Sequence, residues 1–210
     1  MNKVIAIARE FGSGGRELGE RLAAELGYAF YDKEILTQIV TETKLSEGYI
    51  HDVVEAKPQR FFPVRIGTSF SMENEYNVTQ MQNIFAAQNE VITQMAQKSN
   101  CVIVGRCSDY ILEKVEGIQL FKLFIYADMD AKVKRCFQRA PEGENLTDKE
   151  MRKQIQRIDK ERAAYYSNYT LRKWGDLRNY DFCVNTTGVD LEAMIPHFAK
   201  LFTLPPKPGI

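Results

Sequence analysis

Residues 10 to 16 read Glu-Phe-Gly-Ser-Gly-Gly-Arg, a run of small residues that ends on a cation. Before it, Val4, Ile5 and Ile7 make the short apolar run of a strand buried on both faces. After it, Leu18, Leu22 and Leu26 recur at spacings of four, the apolar stripe of a helix. A small-residue turn leading from a strand into a helix N-terminus presents unpaired backbone N–H groups and the positive end of the helix dipole. It can therefore wrap a phosphate. A tight turn that needs glycine only for positive φ is satisfied by one. Gly12, Gly14 and Gly15, with Arg16 in the first helical turn, are more than that requires.

The phosphate-loop pattern GxxxxGK[ST] puts lysine on the terminal phosphates and a hydroxyl on magnesium. Here Gly15-Arg16-Glu17 takes the place of G-K-[ST], and Glu10 falls where the first glycine belongs. Arg16 supplies the same charge with a two-pronged contact, whereas Glu17 adds negative charge unless it binds a metal. A dinucleotide-binding turn is the competing reading, with Asp32 near the end of a second short strand able to hold a ribose. The glycines at 12, 14, 15 and 19 allow no G-x-G-x-x-G, however.

Three further places carry chemistry. Asp32 is placed to cap a helix from Lys33 to about Glu42, or to contact an acceptor beyond the carboxyl ends of the strands. Arg106 follows the apolar run Cys101 to Val104 and Gly105, again at a strand's carboxyl end; its plain alternative is a surface ion pair. Thr147-Asp148-Lys149-Glu150 is a capping box opening a charged helix to about Tyr166, which bears Arg152, Lys153, Arg157, Asp159 and Arg162. Composition alone makes that helix a solvated face laced with i,i+4 pairs. Beside a phosphate cradle its arginines can instead close over transferring phosphates.

These residues need elements to position them. Apolar runs at Tyr28–Tyr31, Cys101–Val104, Leu120–Tyr126 and Tyr180–Val184 join the first to make five strands alternating with helices, hence a parallel sheet covered on both faces. Residues 45 to 56 read as a short helix and 57 to 76 as an irregular acceptor-side loop, with Arg60 and Arg65 as possible anion contacts. Asn77 is read as the cap of a long helix whose apolar face includes Met81, Ile84, Phe85, Val91, Ile92 and Met95. Met129 to about Arg139 forms another helix, with Val133 and Phe137 inward. Trp174 packs the loop of residues 167 to 180 onto the body, and Asp190 caps a last helix to about Phe202.

The 210 residues suit a single α/β domain. Lys plus Arg and Asp plus Glu are 28 each, so no bulk charge draws the chain to nucleic acid or an anionic membrane. Cys101, Cys107, Cys136 and Cys183 are scattered and read as free, mostly buried thiols. The N-terminus enters a strand without a signal-peptide pattern and no apolar run is long enough to span a membrane, which together predict a cytoplasmic protein.

The segments IAREFGSGGRELG (7 to 19), YDKEIL (31 to 36), CVIVGRCSDYIL (101 to 112), IDKERAAYY (158 to 166), WGD (174 to 176) and YDFCVNTTG (180 to 188) resemble the cytidylate kinase-like family of P-loop nucleoside monophosphate kinases. The resemblance implies a P-loop NTPase three-layer sandwich with a five-stranded parallel sheet and a helical lid at about 140 to 170. It implies transfer of phosphate from ATP, with Mg2+, to CMP, dCMP or a similar small-molecule nucleotide, by a monomer or homodimer. Carried onto this chain, Gly12, Ser13, Gly14, Gly15, Arg16, Glu17 and Leu18 form the donor loop, and Asp32, Arg106 and Asp159 serve the acceptor. Arg16, Arg157 and Arg162 act on the transferring group. True cytidylate kinases have Lys and Ser in place of Arg16 and Glu17, and Asp in place of Val104 and Cys107, so magnesium falls to Glu17. A nucleotide-binding regulatory module and an NAD-dependent oxidoreductase are the alternatives from other classes.

Overall fold

The computed structural model describes residues 1–43, 72–140 and 146–203. In chain order the elements are β1 (Asn2–Arg9), α1 (Gly15–Leu26), β2 (Ala29–Tyr31), α2 (Glu34–Thr43), α3 (Met72–Lys98), β3 (Cys101–Val104) and α4 (Ser108–Ile111). They continue with β4 (Ile118–Tyr126), α5 (Met129–Arg139), α6 (Asp148–Thr170), β5 (Phe182–Asn185) and α7 (Leu191–Thr203). The sheet order is β2-β3-β1-β4-β5 and every pairing is parallel.

Successive strand residues point to opposite faces, and both faces are apolar. Val4, Cys101 and Ile103 point to the layer holding α2, α3 and the second half of α6, where Ile35, Ile39, Ile84, Val91, Tyr165 and Tyr166 meet them. Ile5, Ile7, Val102 and Val104 point to α1 and α7, against Leu18, Leu22, Ile195 and Phe202. The result is a three-layer sandwich with β1 at its centre. The chain leaves β1 toward β2 on one side, and β4 lies on the other. The order reverses at β1, and ligands of such sheets gather beyond the carboxyl ends at that point.

Several boundaries differ from the expectation. Residues 72–76 belong to α3, so Asn77 lies inside that helix; Met72 to Tyr76 contains no glycine or proline to stop it. The expected short helix at 45–56, and Arg60 and Arg65, lie outside the described residues. Helix α6 runs to Thr170, one turn past the expected end. Tyr169 stacks on Phe85 with centroids 4.2 Å apart, and the Thr170 hydroxyl donates to Tyr166 O at 2.7 Å, so tertiary burial holds a turn with no apolar period. Phe137 is 40% exposed, not inward; Met129, Val133 and Cys136 form the face of α5 that meets Met151 and Ile155. The capping box is present, Glu150 N donating to Thr147 Oγ1 and Thr147 N to the Glu150 carboxylate. Asp190 accepts from the amides of Glu192 and Ala193, and Trp174 meets Phe124 edge-on. The four cysteines are free; Cys101 and Cys107 are buried and Cys183 is exposed. No described helix is long and apolar enough to cross a membrane.

Candidate active site

The turn between β1 and α1 is held by its carbonyls. Arg135 Nη1 donates to Gly12 O at 2.8 Å, the Thr186 hydroxyl to Ser13 O at 2.6 Å, and the buried Ser13 hydroxyl to Glu10 O at 2.8 Å. In a trans peptide the N–H points opposite the preceding C=O, so tying Ser13 O toward Thr186 turns the Gly14 N–H the other way. Gly14, the residue before α1, sits at φ 82° with no side-chain cap. The amides of Gly12, Gly14, Arg16 and Glu17 have no acceptor among the described residues. A set of backbone donors at a helix N-terminus, with their carbonyls drawn away, fits an oligophosphate.

The cations around this turn come from two helices, α5 and α1. Lys132 on α5 is buried, and its Nζ lies 3.1 Å from Glu10 Oε2 and 2.6 Å from Asp159 Oδ2. Arg135 follows on the same helix face, where burial lowers its pKa from the ordinary arginine value. Arg139 completes the face and pairs with Glu17. Arg16 turns from the loop to Asp32, with Nε to Oδ2 at 2.8 Å and Nη1 to Glu20 at 2.9 Å; the Asp32 hydrogen bond raises its pKa.

On the other side of β1, the chain after β3 takes three successive left-handed residues, Gly105 (φ 81°), Arg106 (φ 57°) and Cys107 (φ 53°). Such backbone costs energy in non-glycine residues and is held by its surroundings. The holder here is Gln88, fully buried, whose Nε2 donates to Arg106 O at 2.8 Å and whose Oε1 accepts from Tyr165 at 3.1 Å. Gly105 N donates to Ile7 O at 2.8 Å, which sets Arg106 beside the end of β1.

Helix α6 reaches the loop through two residues one turn apart. Asp159 Oδ1 accepts from Phe11 N at 2.6 Å; Arg162 Nη1 donates to Arg9 O at 3.1 Å and its guanidinium lies 5.6 Å from the Phe11 ring centroid.

The structure thus gathers Gly12 to Arg16, Asp32, Arg106, Asp159 and Arg162 at the carboxyl end of the sheet. It does not bring Arg157 there. That side chain is 59% exposed and pairs with Glu161 along the helix. Leu18 lends the loop no donor: its N–H is given to Gly14 O at 2.9 Å and its side chain is core. Glu17, expected to bind magnesium, is held by Arg21 Nε at 3.0 Å and by Arg139. Two guanidinium groups already balance its charge, so it does not fit a metal ligand. Val104 ends β3 without an acid, and no cluster of three His, Cys, Asp or Glu side chains is present among the described residues. Asp32 does not cap α2, since its carboxylate goes to Arg16.

Sequence reasoning missed Lys132, Arg135 and Arg139. Their spacings of three and four place them on one face of α5, and that stripe was the available signal. Thr186 lies in the YDFCVNTTG segment, but no local pattern directs its hydroxyl to Ser13 O, 173 residues away.

A parallel α/β/α sandwich whose central strand runs into a phosphate-shaped glycine turn is the P-loop kinase fold. A crystal structure of shikimate kinase from Bacteroides thetaiotaomicron shares it, with a TM-score of 0.54 at 15% identity over 96% of this chain and 98% of that one. A crystal structure described as an uncharacterized protein from Eubacterium ventriosum is similar at TM-score 0.66 and 28% identity, covering 96% and 98% of the two chains. The chain belongs to the cytidylate kinase-like family, whose pattern it matches over residues 4–188. No curated protein matches it in sequence. Family and fold support a nucleotide kinase-like phosphotransferase, and the family suggests nucleotide and metal use in general.

Proposed function

We propose that the protein transfers the γ-phosphoryl group of ATP to a nucleoside monophosphate, CMP or dCMP being the leading acceptors. The observation that carries the reading is the set of amides of Gly12, Gly14, Arg16 and Glu17, which have no acceptor among the described residues, with Arg106 across the end of β1 from it. The donor phosphates lie on those amides with Arg16 beside them, and the acceptor phosphate lies on Arg106. An acceptor phosphate oxygen bonds to the γ-phosphorus while the bond to the β–γ bridging oxygen breaks, and that oxygen leaves with the electron pair on ADP. The protein's share is positioning and charge stabilisation, since such transfer needs little covalent help. Arg162, fixed on Arg9 O and Phe11, keeps α6 against the loop. A cavity of about 310 Å³ opens beside the turn, lined by Phe11, Gly12, Arg135, Arg139, Met151 and Gln154 among others. Its apolar walls and flanking cations suit the base end of a nucleotide.

The test is ADP formation from Mg-ATP with CMP, dCMP, UMP, AMP or no acceptor, alongside Arg16→Ala. Acceptor-dependent turnover that falls at least about tenfold in the variant is expected, by analogy with clamp arginines. Wild-type turnover in the variant would remove Arg16 from the machinery. One observation favours a second reading: Glu17 is neutralised by Arg21 and Arg139, and β3 ends without an acid. A nucleotide-binding regulatory module accommodates that, and predicts ATP binding with no transfer to any acceptor.

A further inference from the structure

Arg9, the last residue of β1, is walled in by two glycines. A Cβ on Gly15 would stand 2.5 Å from Arg9 Cβ and 3.1 Å from its Cγ, while a Cβ on Gly105 would stand 1.9 Å from Arg9 Nη1. One glycine belongs to the donor turn and the other to the acceptor side, so Arg9 passes along both halves of the site. Its stem lies against α1 and its head reaches the end of β3. The head also faces Asp32, with Nη2 3.7 Å from Oδ1, while the other oxygen of that carboxylate accepts from Arg16 Nε at 2.8 Å. Asp32 is buried, and its own N–H donates to Glu34 Oε2 at 3.0 Å. The Arg9 carbonyl accepts from Arg162. One residue therefore joins the donor turn, helix α6, the end of β2 and the end of β3.

An arginine whose stem lies against the donor turn and whose head lies against Gly105, next to Arg106, stands where two phosphates must approach each other. The geometry points to Arg9 as a further phosphate-binding residue, placed at the junction of donor and acceptor phosphates, and to Asp32 as the positioning residue that holds Arg9 and Arg16 in one row. This assignment rests on the phosphoryl-transfer reading. It moves Asp32 from acceptor contact to shared counter-ion. A planar guanidinium can serve Asp32 and a phosphate oxygen with different N–H groups, which an ammonium on a flexible stem does less well.

The experiment compares wild type with Arg9→Lys, Arg9→Gln, Asp32→Asn and Arg9→Gln/Asp32→Asn. Turnover with CMP and Mg-ATP is measured together with calorimetric binding of each nucleotide and of inorganic pyrophosphate, and thermal midpoints report folding. Arg9→Lys keeps charge and most of the volume, so it tests the fork even where Arg9→Gln folds poorly. The expected result is at least about a tenfold rise in KM for CMP in Arg9→Lys, with a larger loss in Arg9→Gln, by analogy with bidentate arginine sites. Asp32→Asn weakens both nucleotides, and the double variant loses less than the product of the single losses. Unchanged KM and kcat in Arg9→Lys and Arg9→Gln overturn the proposal while leaving the kinase reading standing. If wild type transfers to no acceptor, the kinase reading fails separately, and Arg9 is judged by pyrophosphate affinity. At least about tenfold weaker binding in Arg9→Gln then supports a phosphate-binding role, and equal or absent binding overturns it.

Discussion

Lys132 shows how much of the site rests on single buried charges. The residue is 4% exposed, and its ammonium has carboxylates on two sides, Glu10 from the loop and Asp159 from α6. Burying an ammonium is costly unless it is paired, and here the pairing ties three elements at one atom. Lys132→Met removes the cation and leaves the two acids without it. Breaking such a pair costs about 3 to 5 kcal/mol, so the urea midpoint should fall steeply; a loss under about 1 kcal/mol would mean that the acids find other partners. The exposed Arg178–Asp176 pair has an arginine side chain 83% open to water, which screens it, so it contributes little to stability. Glycines, Arg16 and Arg106 were legible because each lies in a local pattern. The binding of Asp159 to Phe11 N and Lys132 was not, because nothing near Asp159 in sequence names either partner.

At the scale of elements, helix α6 combines a legible start with an illegible end. Thr147 and Glu150 satisfy each other's backbone N–H groups, and the spacing alone shows it. Thr147→Ala should destabilise the protein by about 1 kcal/mol, read as a lower denaturation midpoint with an unchanged slope. A change in slope would mean that the start of α6 unfolds separately. The end of the helix is decided by Tyr165 and Tyr169, whose rings lie 4.7 Å apart, and by Phe85 of α3. A helix expected to be a solvated lid is therefore half core. Its first half packs Met151 and Ile155 on α5 beside the phosphate turn, and its second half lies in the α2–α3 layer.

Across the whole molecule, α4 and α6 meet at a buried acid. Asp109 accepts from the Tyr166 hydroxyl at 2.7 Å, yet desolvation pushes its pKa up to about 6 from 3.8. The folded state therefore holds a proton that the unfolded chain gives up at lower pH. Stability from this group is fully present below about pH 4 and is lost as pH rises through about 6. Asp109→Asn keeps an acceptor for Tyr166 without the ionisation. The unfolding free energy of the variant minus that of wild type should rise between pH 4 and 6 and then level off, by at most roughly 3 kcal/mol. A flat difference across that range would show that Asp109 stays ionised in the fold. The neighbouring thiols take no part in this titration: burial pushes Cys101 up to about 12 and Cys107 well above its ordinary value.

Sequence alone determined the features written in local backbone preference: a glycine turn between an apolar strand and a leucine-striped helix, five strands in alternation with helices, and the caps at Thr147 and Asp190. Periods of two and 3.6 residues, positive-φ glycines and capping side chains act within a few positions of one another, so neighbouring residues reveal them. Only the tertiary structure decided which charges meet. Lys132 lies 122 residues from Glu10, and Arg135 lies 123 from Gly12, and they meet because β4 is placed beside β1 and delivers α5 to the loop. The same placement gave Glu17 to Arg139, and the β2-β3-β1 side of the sheet gave Asp32 to Arg16 and Arg9 rather than to a helix cap. An ion pair records the distance between side chains in space, and a parallel sheet whose strand order departs from chain order sets that distance independently of separation along the chain.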